Sequence, residues 1–138
     1  MRKNIILLIL MCVAIIPMAA ENVVYLTTEQ FKERVFDYTK DKEWKYKGSK
    51  PCVIDFYTTW CGPCKRLAPI METLSQKYCD QVIFYKVDTE KERELAYVFQ
   101  INSIPQVLYI PVEGQPLLLK GLYPQENIEE IINTHLCK

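Results

Sequence analysis

Trp60-Cys61-Gly62-Pro63-Cys64, with Cys52-Val53-Ile54-Asp55-Phe56-Tyr57 ahead of it, is the stretch from which the fold can be read. Cys52 to Tyr57 is apolar on both faces except at Asp55, the pattern of a strand buried inside a sheet. Thr58-Thr59-Trp60 then forms a short loop. A helix is expected from about Cys61 to Tyr78, because Leu67, Ile70, Met71, Leu74 and Tyr78 recur at spacings of three and four. Pro63 lies in its first turn, where proline is tolerated, and Pro69 lies mid-helix, where a kink is expected. A carboxylate at position 55 is costly in such a strand and needs a chemical reason.

Two cysteines three positions apart can close a disulfide ring across one helical turn. At a strand-to-helix junction the first sulfur meets unpaired N–H groups and the positive end of the helix dipole, which favour its thiolate. Cys61 is therefore the expected nucleophile. Cys64, one turn deeper, is expected to be the more buried partner. Gly62 leaves room for another backbone to approach, Pro63 stiffens the turn, and Trp60 supplies a flat apolar collar. Two other uses of the pair compete: a purely structural disulfide, and half of a zinc site. Zinc needs two further ligands. His135 is the single histidine, and Cys79 and Cys137 carry no partner motif, so no metal is expected.

Outward from this centre the elements alternate. Val23 to Leu26 reads as a strand. A helix follows with Thr27 or Thr28 as its cap and Phe31, Val35 and Phe36 inward. Asp37 to Lys50 is polar and lysine-rich around Trp44 and Tyr46. Val82 to Val87 is a second strand, and Asp88 to Phe99 a short helix with Leu95, Ala96 and Phe99 inward. Ser103-Ile104-Pro105 breaks the chain before a strand from Gln106 to Ile110. Glu113-Gly114 makes a turn into Leu117 to Lys120, and Glu126 to Leu136 forms a last helix. The order βαβαβαββα predicts an α/β architecture, a central mixed sheet flanked by helices on both faces.

The 138 residues suit one domain, and the balance of 17 basic and 17 acidic residues gives no excess that points to nucleic acid. The charges are unevenly placed. Residues 1–20 hold only Arg2 and Lys3, then an apolar run from Ile5 to Ile16, Pro17, and Met18-Ala19-Ala20. That order predicts an export signal over residues 1–20, cleaved near Ala20, with the globular domain over 21–138. The run is short for a membrane span, though a retained anchor is the alternative. Met11 before Cys12 argues against a lipidated cysteine. Outside the cytoplasm thiols are readily oxidised. Five cysteines follow residue 20, so complete internal pairing is impossible.

With these features together, the sequence from about residue 22 to 137 resembles the thioredoxin family. Asp55-Phe56-Tyr57 is similar to that family's buried-aspartate strand, and Trp60 to Lys65 matches its motif. Ala68-Pro69 resembles its kinked helix and Ile104-Pro105 its cis-proline loop. Gly114 and Gly121 fall where the family keeps glycines, and Lys86 where it often places a lysine. The resemblance implies the thioredoxin fold and a thiol–disulfide oxidoreductase with no cofactor beyond its own Cys61–Cys64 disulfide. It implies that Asp55, with a raised pKa, takes the proton of Cys64, and that Lys86 moderates the shift. It implies a substrate surface of Trp60, Gly62, Pro63, Ile104, Pro105 and Gly121, acting on disulfide-containing proteins.

Gly62-Pro63 is typical of reducing members, whereas oxidants usually carry a histidine there. The expectation is an exported, bacterial, periplasmic or otherwise extracytoplasmic dithiol reductase. It would act as a monomer and be reset by a membrane electron donor. The same chemistry run as an oxidase or isomerase is one alternative; a thioredoxin-fold binding or holdase module without turnover is another. Tyr57 and Thr58-Thr59 depart from the commoner family residues, and Asp37–Lys50 is longer than the usual connection. It is read either as a helix end and loop with Trp44 pinned to the body, or as a docking element. The run Glu90 to Glu94 is read as a solvated helix face.

Overall fold

The computed structural model describes residues 22–138; the expected signal over 1–20 lies outside the described residues. Among the described residues five strands form one sheet: β1 (Val23–Tyr25), β2 (Cys52–Tyr57), β3 (Ile83–Asp88), β4 (Gln106–Ile110) and β5 (Leu117–Lys120). Their order is β1-β3-β2-β4-β5. β3 runs parallel to both β1 and β2, while β4 is antiparallel to β2 and β5 to β4. The helices are α1 (Thr28–Arg34), α2 (Gly62–Lys77), α3 (Arg93–Val98) and α4 (Gln125–Ile131), the last passing into a π turn over Ile132–Leu136. This is the mixed sheet expected from the order of elements.

The period of two along β2 sorts the interior into two cores. Val53 faces α2, α4 and the π turn, among Leu67, Met71, Leu74, Ile128 and Ile132. Cys52, Ile54 and Phe56 face the opposite side, among Phe31, Val35, Leu95 and the start of the 37–50 segment. Helices thus cover both faces, as expected. α1 begins with a capping box. The Thr27 hydroxyl accepts from Gln30 N–H at 3.2 Å, and the Gln30 side chain accepts from Thr27 N–H at 3.1 Å.

Several boundaries differ from expectation. α2 starts at Gly62, because Cys61 is its N-cap in extended conformation. α3 starts at Arg93, five residues later than expected. The segment after Asp88 first turns back on itself, with Lys91 and Glu92 N–H donating to the Asp88 carbonyl. The last helix begins at Gln125 and widens into the π turn, where Cys137 N–H reaches the Ile132 carbonyl.

The 37–50 segment folds back over the second core. Trp44 and Phe36 meet with ring centroids 4.8 Å apart, and Lys47 N–H donates to the Val35 carbonyl at 2.9 Å. The Tyr46 hydroxyl donates to the Lys50 carbonyl at 2.6 Å. The segment is thereby pinned on both sides of Trp44.

Candidate functional site

The site gathers at the end of the sheet where β2 and β3 finish. β2 delivers the chain to Thr58-Thr59-Trp60, and α2 leaves from Cys61. Cys61 and Cys64 are joined by a disulfide, their Cα atoms 5.2 Å apart. The Cys61 sulfur accepts from Cys64 N–H at 3.2 Å. A sulfur can cap a helix in this way because the first-turn N–H groups have no partner within the helix, and a negative sulfur there is further favoured by the dipole. The residues are almost equally enclosed, at 5% and 3% exposure, so the expected difference in depth is slight. Their difference is positional instead: Cys61 caps the helix and Cys64 belongs to its first turn.

Trp60 is 65% exposed, a high value for so large an apolar ring. It is not loose, since its indole N–H donates to a Glu90 carboxylate oxygen at 2.8 Å. Gly62 and Pro63 are exposed beside it. A Cβ on Gly62 would meet nothing within 4 Å among the described residues, so their packing does not require glycine there.

The opposite wall comes from β4 and β5. The Ile104–Pro105 peptide is cis, Pro105 is buried and Ile104 half-buried. Gln106 pairs with Phe56 across β2 and with Lys120 across β5, which sets Pro105 beside the end of β2. Gly121 has φ +96, a region that side chains disfavour, and its N–H donates to the Pro105 carbonyl at 2.8 Å. The Gln106 amide donates to the Ser103 carbonyl at 2.8 Å. The loop is thus held from both ends. Trp60, Gly62, Pro63, Ile104, Pro105 and Gly121 share one end of the sheet.

Asp55 lies beneath. It is 5% exposed, and its Oδ1 is buried with no hydrogen-bond partner among the described residues. It stands level with Lys86 of β3. Burial pushes its carboxyl up to about 7, against the pull of the Lys86 ammonium. A cavity of about 260 Å³ between α2 and the β1–β3 side of the sheet is lined by Asp55 and Lys86. Asp55 can therefore exchange a proton near neutral pH while remaining under cover.

Sequence reasoning missed Glu90 and Glu92, which it read as part of a solvated face. Glu90 holds Trp60. Glu92 accepts from Thr28 N–H at 2.8 Å, the Thr28 hydroxyl at 2.7 Å and the Tyr25 hydroxyl at 2.9 Å. The one available signal was position: Glu90 follows the end of β3 by two residues, level with the loop that leaves β2.

The remaining cysteines among the described residues are free: Cys52 is buried, Cys79 exposed and Cys137 half-buried. Burial pushes the Cys52 thiol up to about 12, the Tyr46 hydroxyl pulling the other way. Among the described residues no group of three or more His, Cys, Asp or Glu side chains could hold a metal ion. Among the described residues, too, no helix is long and apolar enough to cross a membrane.

The family model "Thioredoxin" matches residues 22–134. The thioredoxin of Borreliella burgdorferi is 49% identical over 107 residues, covering 78% of this chain and 92% of that protein. The thioredoxin of Staphylococcus saprophyticus is 36% identical over 85 residues, 61% of this chain and 81% of that one. Chloroplastic thioredoxin z, whose crystal structure is described as defining a type-specific target recognition, superposes with a TM-score of 0.68. It shows 25% identity and covers 81% of this chain and 92% of its own.

Proposed function

The chain belongs to the thioredoxin family, and from that premise we propose that it is an exported dithiol reductase of protein disulfides. The observation that carries the reading is the Cys61–Cys64 disulfide at the start of α2, at the end of the sheet that also carries the cis-Pro105 loop, with Asp55 buried in the strand that leads to it.

In the reduced protein, the Cys61 thiolate attacks one sulfur of a substrate disulfide. A mixed disulfide forms, and the departing substrate thiolate takes a proton from solvent. Asp55 accepts the proton of Cys64. The Cys64 thiolate then attacks the Cys61 sulfur, closing the ring and releasing the second substrate thiolate, which is protonated in turn. Two electrons pass from the dithiol to the substrate. Lys86 stabilises the charged state of Asp55 and so limits how far burial raises it.

Trp60, Gly62, Pro63, Ile104, Pro105 and Gly121 form the docking surface. The open space over Gly62 favours a partner backbone lying close to the sulfurs. Ile104 offers backbone groups to an extended peptide, in the manner of an added strand. Export rests on the sequence of residues 1–20. An exported dithiol has no soluble nicotinamide-driven donor beside it, so the resetting partner is a membrane protein that delivers a dithiol.

The test is the reduction potential of the Cys61–Cys64 pair in thiol/disulfide buffers, with Cys79→Ser and Cys137→Ser removing the more accessible thiols. A value near the thioredoxin level of about −270 mV is expected; one near about −120 mV, the level of a strong oxidant, overturns the reducing direction. Cys64→Ser should stall as a mixed disulfide through Cys61. Function without such an adduct would instead mark a binding module.

A further inference from the structure

We infer that Glu72 is a positioning residue for Asp55: it flanks the cleft through which Asp55 meets solvent and sets the field in which that carboxyl gains and loses its proton. The inference rests on the proposed proton-accepting role of Asp55 and adds a residue to it.

The cleft is a feature of packing. α2 crosses the sheet over β1, β3 and β2, and its small residue Ala68 and ring residue Pro69 leave the cavity of about 260 Å³ unfilled. Asp55 and Lys86 line it from the sheet, Val23 from β1 and Glu72 from α2. Asp55, whose buried Oδ1 has no hydrogen-bond partner among the described residues, is itself one of the lining residues. A cavity of that size with three ionisable side chains in its wall can hold water, each molecule needing about 30 Å³ of liquid volume.

Glu72 is half-buried and held in place, because Asn22 N–H donates to its Oε1 at 3.2 Å. The start of β1 is thereby tied to the wall of the cleft. Among the described residues, the titratable groups that interact with Asp55 or share its cleft are Lys86 from β3, Glu72 from α2, Tyr109 from β4 and Tyr57 along β2. The two tyrosines stay neutral near pH 7, because burial, the main cause in each, raises their hydroxyls further. Lys86 pulls the Asp55 carboxyl toward its charged form, and Glu72 lines the same cleft from α2 as the other carboxylate of its described wall, placed to act the opposite way.

The consequence for turnover is specific. The proton that leaves Cys64 rests on Asp55 and must then pass to solvent before the next cycle. A carboxylate beside that route attracts the proton outward and, by like-charge repulsion, favours the protonated Asp55. Replacing Glu72 by glutamine keeps an acceptor for Asn22 N–H and removes only the charge.

The experiment follows the Asp55 carboxyl by ¹³C NMR across pH in the oxidised full chain, and the pH dependence of protein-disulfide reduction in parallel. In E72Q the Asp55 midpoint should move down by about half a pH unit. It should fall further in E72K and stay near the native value in E72D. The pH profile of reduction should move in the same order, with thermal unfolding confirming that each variant is folded. Midpoints in E72Q and E72K equal to the native one overturn the inference. So does an equal displacement in E72D, which keeps the charge. The Asp55→Asn variant separates the two readings. If it leaves the pH profile of reduction unchanged, the proton-accepting role fails while the NMR midpoints still report on Glu72. If it abolishes the profile and the Glu72 variants do nothing, only the inference about Glu72 fails.

Discussion

The two faces of the sheet are built from the same strands and closed in different ways. On one, Phe31 and Phe99 meet edge to face at 5.4 Å, Phe56 and Phe99 at 5.8 Å, and Phe36 and Trp44 at 4.8 Å. On the other, α2 leaves a cavity, and a carboxylate sits where Phe56 or Ile54 sits on the aromatic side. β2 supplies both, its alternate residues going to opposite faces. The aromatic face contributes stability through dense contact. The face under α2 gives up some of that contact and keeps a titratable group in the strand that leads to the cysteines. Incomplete packing on one side is tolerated because the other side is filled.

The largest effect that tests this division comes from the aromatic face. Phe31 is fully buried and far in sequence from the cysteines. Phe31→Ala should cost about 3–5 kcal/mol in urea unfolding, from lost transfer and an unfilled cavity. The Cys61–Cys64 potential should move by less than about 30 mV, a tenfold change in equilibrium. A larger move would show that the faces are coupled.

Next in size is Asp55→Ala, which should stabilise the oxidised protein above neutral pH. The folded carboxyl lies near 7, above its usual 3.8. The folded state therefore binds more protons than the unfolded state between those values. Stability is complete below the lower one and is lost as pH rises through the higher. Removing Asp55 abolishes that loss, by at most about 4 kcal/mol in the alkaline limit. Unfolding curves of the two proteins should converge below pH 4. A gap that is independent of pH would break the comparison.

The smallest expected effect is at Glu90. Glu90→Ala removes the acceptor for the Trp60 indole and leaves that exposed ring free to turn. Stability should change by no more than about 0.5 kcal/mol, as is usual for surface positions. The KM for a protein disulfide should rise up to about fivefold, the equivalent of roughly 1 kcal/mol of lost preorganisation. Trp60 fluorescence anisotropy should fall.

Much of this was legible because local pattern and global fold agree. The unbroken burial of Cys52 to Phe56 requires layers on both sides, and the five-residue motif fixes where the strand gives way to a helix. What escaped depended on residues distant in sequence. Glu92 reads as a solvated helical charge, yet its carboxylate serves Tyr25 and Thr28, more than 60 positions away. That tie holds the end of the β3 turn and delays α3 to Arg93. Ile128, Ile132 and Leu136 are four apart, a spacing that an α-helix and a π turn both satisfy, so the change of winding left no trace in the pattern. The cleft beside Asp55 arises from how a helix lies on a sheet, which no run of residues encodes by itself.

Cys79 gives the molecule a handle. It is an exposed free thiol just beyond the last residue of α2, whose opposite end carries the redox pair. Sixteen helical residues lie between Cys61 and the end of α2 before Cys79, a span of about 24 Å at 1.5 Å per residue. A dye or tether placed there sits at a rigid, known remove from the reacting sulfurs. The protein can thus be watched, or fixed to a surface by its far end, while the working end stays open to its substrates.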